Sequence, residues 1–209
     1  MIVVGDAESG KTNLLRLAAK AIIERHTPAE ARIMVVDYRR ELVEAVPDAY
    51  RLGHAVSLDA LKELVDGAAR AVRTRVPGAD IAPARMRLCD WWTGPRLFVL
   101  VDDYDMVGGG GPLNQPFGAL MDHLALGYEV GMHLVVARSA AVAGRGLNDP
   151  LLRRMLEVNT PGILLSCPPT EGYVFGNLKG RNLIPGRGTR ITRRKNVDIQ
   201  TALVEQGSP

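Results

Sequence analysis

Short apolar runs rich in β-branched residues alternate with longer amphipathic stretches along this chain. The runs are MIVV (1–4), RIMVVD (32–37), LFVLVDD (97–103), MHLVVAR (132–138) and GILLS (162–166). A run that is apolar at every position suits a strand covered on both faces, since a half-exposed strand would alternate. Between the runs come patterns of helical period. KTNLLRLAAKAIIER (11–25) gathers Leu14, Leu15, Ala18 and Ile22 on one face. SLDALKELVDGAARAVRTRV (57–76) does the same with Leu58, Leu61, Leu64, Val65, Ala68 and Val72, and Ser57 is placed to cap it. Two further helices are predicted over 112–131 and 148–158, the second capped by Asn148 or Asp149 with Pro150 in its first turn. Asp37 reads as the cap of a helix beginning near Tyr38. Irregular chain is expected over 77–95 and through Gly108–Gly111, and the period-two tail 188–206 predicts a terminal β-hairpin. Alternation of this kind predicts an α/β domain, a mainly parallel central sheet flanked by helices.

Composition narrows the picture. With 209 residues, 46% of them hydrophobic, one well-buried core is expected, and with 5% aromatic residues that core is aliphatic. A net charge of +3 is too small to argue for nucleic acid. From Gly172 to Val197 the chain has no acid but carries Lys179, Arg181, Arg187, Arg190, Arg193, Arg194 and Lys195, which reads first as a solvated face. Cys89 and Cys167 match no metal or redox spacing, and the four histidines show no ligand spacing. Two isolated thiols without a secretory signal fit a reducing cytosol. No apolar run approaches the ~20 residues that cross a bilayer, so direct membrane insertion by this segment is not expected. Only Met1–Val4 precede the first loop, from which a fragment of a longer protein is expected. Trp91 and Trp92 are expected to plug the irregular segment against the sheet.

The chemistry lies at the strand ends. Gly5-Asp6-Ala7-Glu8-Ser9-Gly10-Lys11-Thr12 matches GxxxxGK[ST] between a strand and a helix, the context this phosphate-binding motif requires. Its glycines let backbone N–H groups curl around a phosphate, and the helix N-terminus adds its positive end. Lys11 should reach the β- and γ-phosphates and the Thr12 hydroxyl should ligate Mg²⁺. Asp6 and Glu8 bring negative charge to a polyanion site, a weakening term unless they point to solvent. In LFVLVDDYD, Asp102 emerges at the end of a buried strand and is the expected Mg²⁺-linked carboxylate. Asp103 takes the place of the residue that polarises the attacking water, commonly Glu in motor ATPases. Aspartate is one methylene shorter, and a misplacement of ~1 Å costs on the order of a hundredfold in rate. Arg138 and Ser139 end another buried strand, where either a γ-phosphate sensor or an ordinary charged residue would sit.

GDAESGKTNLLR, ARIMVVDYRR, WWTGPRLFVLVDDYD, GMHLVVARS and PGILLS with a later GRG together resemble the FtsK/SpoIIIE family of hexameric motor ATPases. The likeness is closer to the C-terminal, third ATPase domain of the EccC proteins of type VII (ESX) secretion systems. It covers about residues 1–190, leaving 191–209 as a C-terminal strand and tail. The resemblance implies a RecA-like P-loop NTPase fold, with ATP and Mg²⁺ as ligands. It also implies a cytoplasmic domain of a parent held at the cytoplasmic membrane by segments outside this chain. Such a parent carries other ATPase modules in tandem, assembles as a homo-hexamer and exports WXG-type proteins. Its last module is associated with capture of the substrate's C-terminal tail, for which 112–127 and 140–160 are the candidate segments here. Active motors of this kind offer an arginine to the neighbouring subunit at the position that is Gly162 here. Arg153 or Arg154 could substitute, or be solvated helix charges. Gly162, Asp103 and the acidic loop together point to ATP binding with weak or no hydrolysis. An active ATPase powering translocation is the alternative, and a DNA translocase ranks last.

Overall fold

The computed structural model describes residues 1–107, 115–142, 149–175 and 178–204. One sheet of eight strands organises them: β1 Ile2–Gly5, β2 Ala31–Val36, β3 Arg51–Ala55, β4 Arg96–Val101, β5 Met132–Ser139, β6 Gly162–Leu165, β9 Arg187–Ile191 and β10 Asn196–Gln200. A separate two-stranded ribbon pairs β7 Tyr173–Phe175 with β8 Leu178–Lys179. The order across the large sheet is β10-β9-β6-β1-β5-β4-β2-β3. From β6 to β3 every pair is parallel, whereas β9 runs antiparallel to β6 and β10 antiparallel to β9. All five predicted strands form, and the expected terminal hairpin is β9–β10.

The helices are α1 Lys11–Arg25, α2 Leu58–Arg73, α3 Pro83–Leu88, α4 Tyr104–Val107, α5 Gly118–Met121 and α6 Pro150–Glu157. They divide the core in two because alternate strand residues face opposite sides. Val3, Ile33, Val35 and Leu100 meet Leu14, Leu15, Ala19 and Ile22 of α1 on one face. Ile2, Val4, Val99 and Val101 meet Leu61, Val65 and Val72 of α2 and Leu151, Leu152 and Met155 of α6 on the other. The expected mainly parallel sheet flanked by helices is present. Ser57 caps α2, its hydroxyl accepting from the Ala60 N–H at 3.3 Å.

Several expectations need correction. Residues 115–131 form no continuous helix, only α5 and a 3₁₀ turn at Leu124–Leu126. Gly118, Gly127 and Gly131 weaken the pattern, and Gly131 has φ +67°, outside the helical region. Phe117 and Leu120 are still buried, so the apolar periodicity reports a packed surface without a long helix. Residues 112–114 of that pattern, Gly108–Gly111 and the cap candidate Asn148 lie outside the described residues. Asp149 does cap α6, accepting from the Leu151 and Leu152 N–H groups at 3.0 and 3.1 Å. No helix begins at Tyr38. The irregular stretch 77–95 contains α3, and β3 went unpredicted because Gly53 interrupts it. A Cβ on Gly53 would meet Leu64 at 2.4 Å, so the glycine is what lets α2 lie on the strand. Trp91 and Trp92 act as the expected plug: their indole N–H groups donate to the carbonyls of Arg75 and Glu129 at 2.7 and 2.8 Å.

Candidate functional site

The loop between β1 and α1 is shaped by its backbone. Glu8 has φ +57° and Gly10 φ +100°, which turn successive N–H groups inward. Gly10 is the N-cap of α1 without any side-chain cap, and the first turn of α1 holds no acid, so its N–H groups stay available to an anion. A Cβ on Gly5 would lie 2.3 Å from Ser9 Oγ, and one on Gly10 would lie 3.1 Å from the backbone nitrogen of Gly186. Neighbouring segments brace the loop from outside. The Asp6 N–H donates to Ser166 O at 2.8 Å and the Gly186 N–H to Ser9 O at 2.9 Å. Asn13, on the first turn of α1, grips the C-terminal stretch with both ends of its amide: Nδ2 donates to Ala202 O and Oδ1 accepts from the Val204 N–H, both at 2.8 Å.

Lys11 is only 9% exposed, and its ammonium donates to the Asp6 carbonyl at 2.7 Å, its sole partner among the described residues. A nearly buried cation without a carboxylate is a fit for phosphate. Asp6 is half-buried and its Oδ1 accepts from the Ala7 N–H at 2.8 Å; Ala7 and Glu8 are exposed. The Thr12 hydroxyl donates to Asp102 Oδ2 at 2.6 Å across the intervening strand β5, and the Asp103 N–H donates to Asp102 Oδ1 at 3.0 Å. Burial, only partly offset by the Thr12 bond, pushes the Asp102 carboxyl above the usual carboxylate range, and the charges of Asp103 and Asp37 add to the push. One hydroxyl and one carboxylate are too few donors for a metal cage. They suit Mg²⁺, which keeps waters and takes phosphate oxygens for the rest of its shell.

The next three residues each reach a different element. Asp103, at φ +42°, holds Arg39 of the turn after β2 through Oδ2 and Nε at 3.0 Å. The Tyr104 hydroxyl donates to Asp149 Oδ1 at 2.8 Å, tying this turn to the cap of α6. Asp105 accepts from Arg138 Nη2 at 3.0 Å and from the Ser139 N–H at 2.6 Å. A cavity of about 580 Å³ joins these parts, lined by Asp6, Glu8, Lys11, Thr12, Arg39 and Asp103 among others. Ser139 also lines it, but Arg138 does not: it is 4% exposed and paired with Asp105. Asp37 is buried too, and its carboxylate accepts from the Leu42 N–H at 2.6 Å, closing a turn instead of capping a helix. Arg39, Tyr104, Asp105 and Asn13 had no assigned role in the sequence reading. Arg39 stands two residues after the acid that ends the apolar run 32–37, and that position was the available signal.

Gly162, where the resemblance places a trans-acting arginine, is packed against an aromatic ring. A Cβ on Gly162 would meet the Phe175 ring at 2.4 Å. Arg153 and Arg154 both pair with Glu157, at 3.3 and 3.4 Å.

No protein-family model matches the chain. It is 40% identical over 205 residues to the ESX secretion system protein EccC of Thermomonospora curvata, covering 98% of this chain and 15% of that protein. With the ESX-4 secretion system protein EccC4 of Mycobacterium tuberculosis it shares 34% identity over 192 residues, 92% of this chain and again 15% of the relative. The chain therefore spans about a seventh of the length of these relatives. A solved structure of T. curvata EccC, ATPases 2 and 3 in complex with a signal sequence peptide, superposes with a TM-score of 0.91, covering 98% of this chain and 37% of that one. The mainly parallel sheet, the phosphate loop joined to Asp102 and these likenesses along nearly the whole chain agree, and the chain is an ATPase domain of the EccC family.

Proposed function

We propose that this domain holds ATP·Mg²⁺ with little or no turnover of its own, as a nucleotide-binding and regulatory part of a type VII secretion motor. One observation carries the reading: a complete phosphate loop is bonded through Thr12 to Asp102, beside a nearly buried Lys11 that has no carboxylate partner among the described residues. Backbone N–H groups and Lys11 bind the phosphates, while Thr12 and Asp102 hold the metal. Bound Mg²⁺ supplies the charge that offsets the acids of the loop. Three features argue against fast hydrolysis. Asp103 is shorter than glutamate and already engaged by Arg39, the cavity is rich in acid, and Phe175 leaves no room for an arginine at position 162. The likeness to an EccC solved with a signal sequence peptide supports a part in recognising the C-terminal tail of a WXG-type substrate. Other ATPase modules of the same parent, assembled as a hexamer at the cytoplasmic face of the membrane, would then receive the signal of occupancy.

Calorimetry of ATP and Mg²⁺ with this chain, with phosphate release followed in the same cell, tests the reading. Tight binding that is lost in Lys11→Ala, without phosphate release, is the expected result. The intact Thr12–Asp102 bond favours a second reading, a working ATPase. Steady phosphate release that disappears in both Lys11→Ala and Asp102→Ala would establish that reading and overturn the first.

A further inference from the structure

Among the described residues lining the cavity, four acids (Asp6, Glu8, Glu41 and Asp103) face two bases, Lys11 and Arg39. Such a wall repels a polyphosphate unless each base is well placed. Lys11 stands at the loop itself, against the Asp6 carbonyl. Arg39 lines the cavity from another element, the turn that follows β2. That turn is anchored: Asp37 is 1% exposed and accepts from the Leu42 N–H, and the Arg40 N–H donates back to Asp37 O at 3.3 Å. The backbone that delivers Arg39 is thus fixed to the sheet, while its side chain remains 60% exposed. Its sole partner among the described residues is Asp103 Oδ2, met through Nε, so both terminal guanidinium nitrogens are left for a ligand. Arg138, the candidate sensor of a terminal phosphate, is 4% exposed and bonded to Asp105 and the Ser139 carbonyl.

In a phosphate loop the terminal phosphate extends toward the metal-binding hydroxyl and the strand-end carboxylate, here Thr12 and Asp102. Beside that pair stands Asp103, which opposes a terminal phosphate, and among the described residues its charge is paired with Arg39 alone. We propose that Arg39 is the specificity-determining residue that separates nucleoside triphosphate from diphosphate in this site, its guanidinium bridging Asp103 and the terminal phosphate. Arginine suits this task because its planar fork can engage two anions at once, where a lysine offers a point charge. The inference rests on the nucleotide-holding reading above.

The test is calorimetry with Mg²⁺ and either ADP or a non-hydrolysable ATP analogue, on the wild-type chain, Arg39→Gln, Arg39→Lys and Lys11→Ala. A charge-assisted phosphate contact predicts that Arg39→Gln weakens the analogue by about tenfold or more, with ADP changed by less than about threefold. Arg39→Lys should keep part of the discrimination, and Lys11→Ala should lose both ligands. Equal losses for the two nucleotides, or no loss, would reduce Arg39 to a surface partner of Asp103 and overturn the inference while leaving the nucleotide site standing. A wild-type chain that binds neither nucleotide would overturn both. The Arg39 side chain is 60% exposed, so its variants are expected to fold, which near-identical melting curves would verify.

Discussion

The loop after β1 and the turn after β4 meet at one bond, Thr12 to Asp102, yet they are built on opposite principles. The loop is a backbone structure: positive φ at Glu8 and Gly10, with main-chain bonds to Ser166 and Gly186. Ala7 and Glu8 are exposed although Glu8 also borders the cavity, so water screens the acid at position 8. The turn is a side-chain structure. Asp102, Asp103, Tyr104 and Asp105, consecutive in sequence, tie respectively to α1, the turn after β2, the cap of α6 and the end of β5. A substitution in the loop therefore matters when it alters backbone geometry, and a substitution in the turn matters through the atoms it removes.

The largest effect should follow from Gly10→Ala. Alanine at φ +100° is strained, and its methyl would press on Gly186, whose own backbone holds Ser9. A cost of ~1–3 kcal/mol on the loop predicts nucleotide affinity reduced about tenfold to a hundredfold. Calorimetry measures it, with circular dichroism to verify the fold; unchanged affinity would break the backbone account of the loop.

Asp102→Asn should act on stability in the opposite sense to function. The carboxyl is held above its ordinary range, chiefly by burial. Between the unfolded value, ~3.9, and the raised folded one, the folded state binds more protons. Stability therefore falls as pH rises through that window and stays lower above it. Removing the charge should raise the melting temperature of the ligand-free domain at pH 7, by roughly 2–4 °C for each ~1 kcal/mol relieved, and the gain should vanish below the window. The same variant should lose the extra stabilisation that Mg²⁺ with nucleotide gives the wild type. A lower ligand-free melting temperature would show that the bonds from Thr12 and Asp103 outweigh desolvation.

Glu8→Gln should do least. The side chain borders the cavity but is exposed and screened by water, so neutralising it should tighten nucleotide binding by only about threefold or less at physiological salt. A tenfold change in calorimetry would mean that Glu8 turns inward.

Much of this was legible in the sequence because the signals are local. An apolar run between turn residues specifies a buried strand, and GxxxxGK[ST] carries its own mechanism, so Lys11, Thr12 and Asp102 could be placed before any coordinates. The misses share a cause. Over 115–131 apolar spacing matched a helix, but the glycines let tertiary packing of Phe117 and Leu120 decide the backbone. Asp37 looked like a helix cap because an acid at a strand end serves several ends, and only its bond to Leu42 distinguishes them. Arg138 sits where a sensor would, but its pairing with Asp105 depends on a turn from another strand. Arg39 likewise acquires meaning only when Asp103 is brought beside it across the sheet.

The grip of Asn13 on the C-terminal stretch has a consequence for biosynthesis. Asn13 and Val204 are 191 positions apart, and Gly186, which braces Ser9, is also distant. On a ribosome the phosphate loop would emerge early, together with α1, but its braces would be absent until almost the whole domain had left the exit tunnel. Contacts of such long sequence separation form late and slowly. Nucleotide capture would then be a property of the completed domain only, and a product stalled or truncated within it would hold the motif without the means to use it.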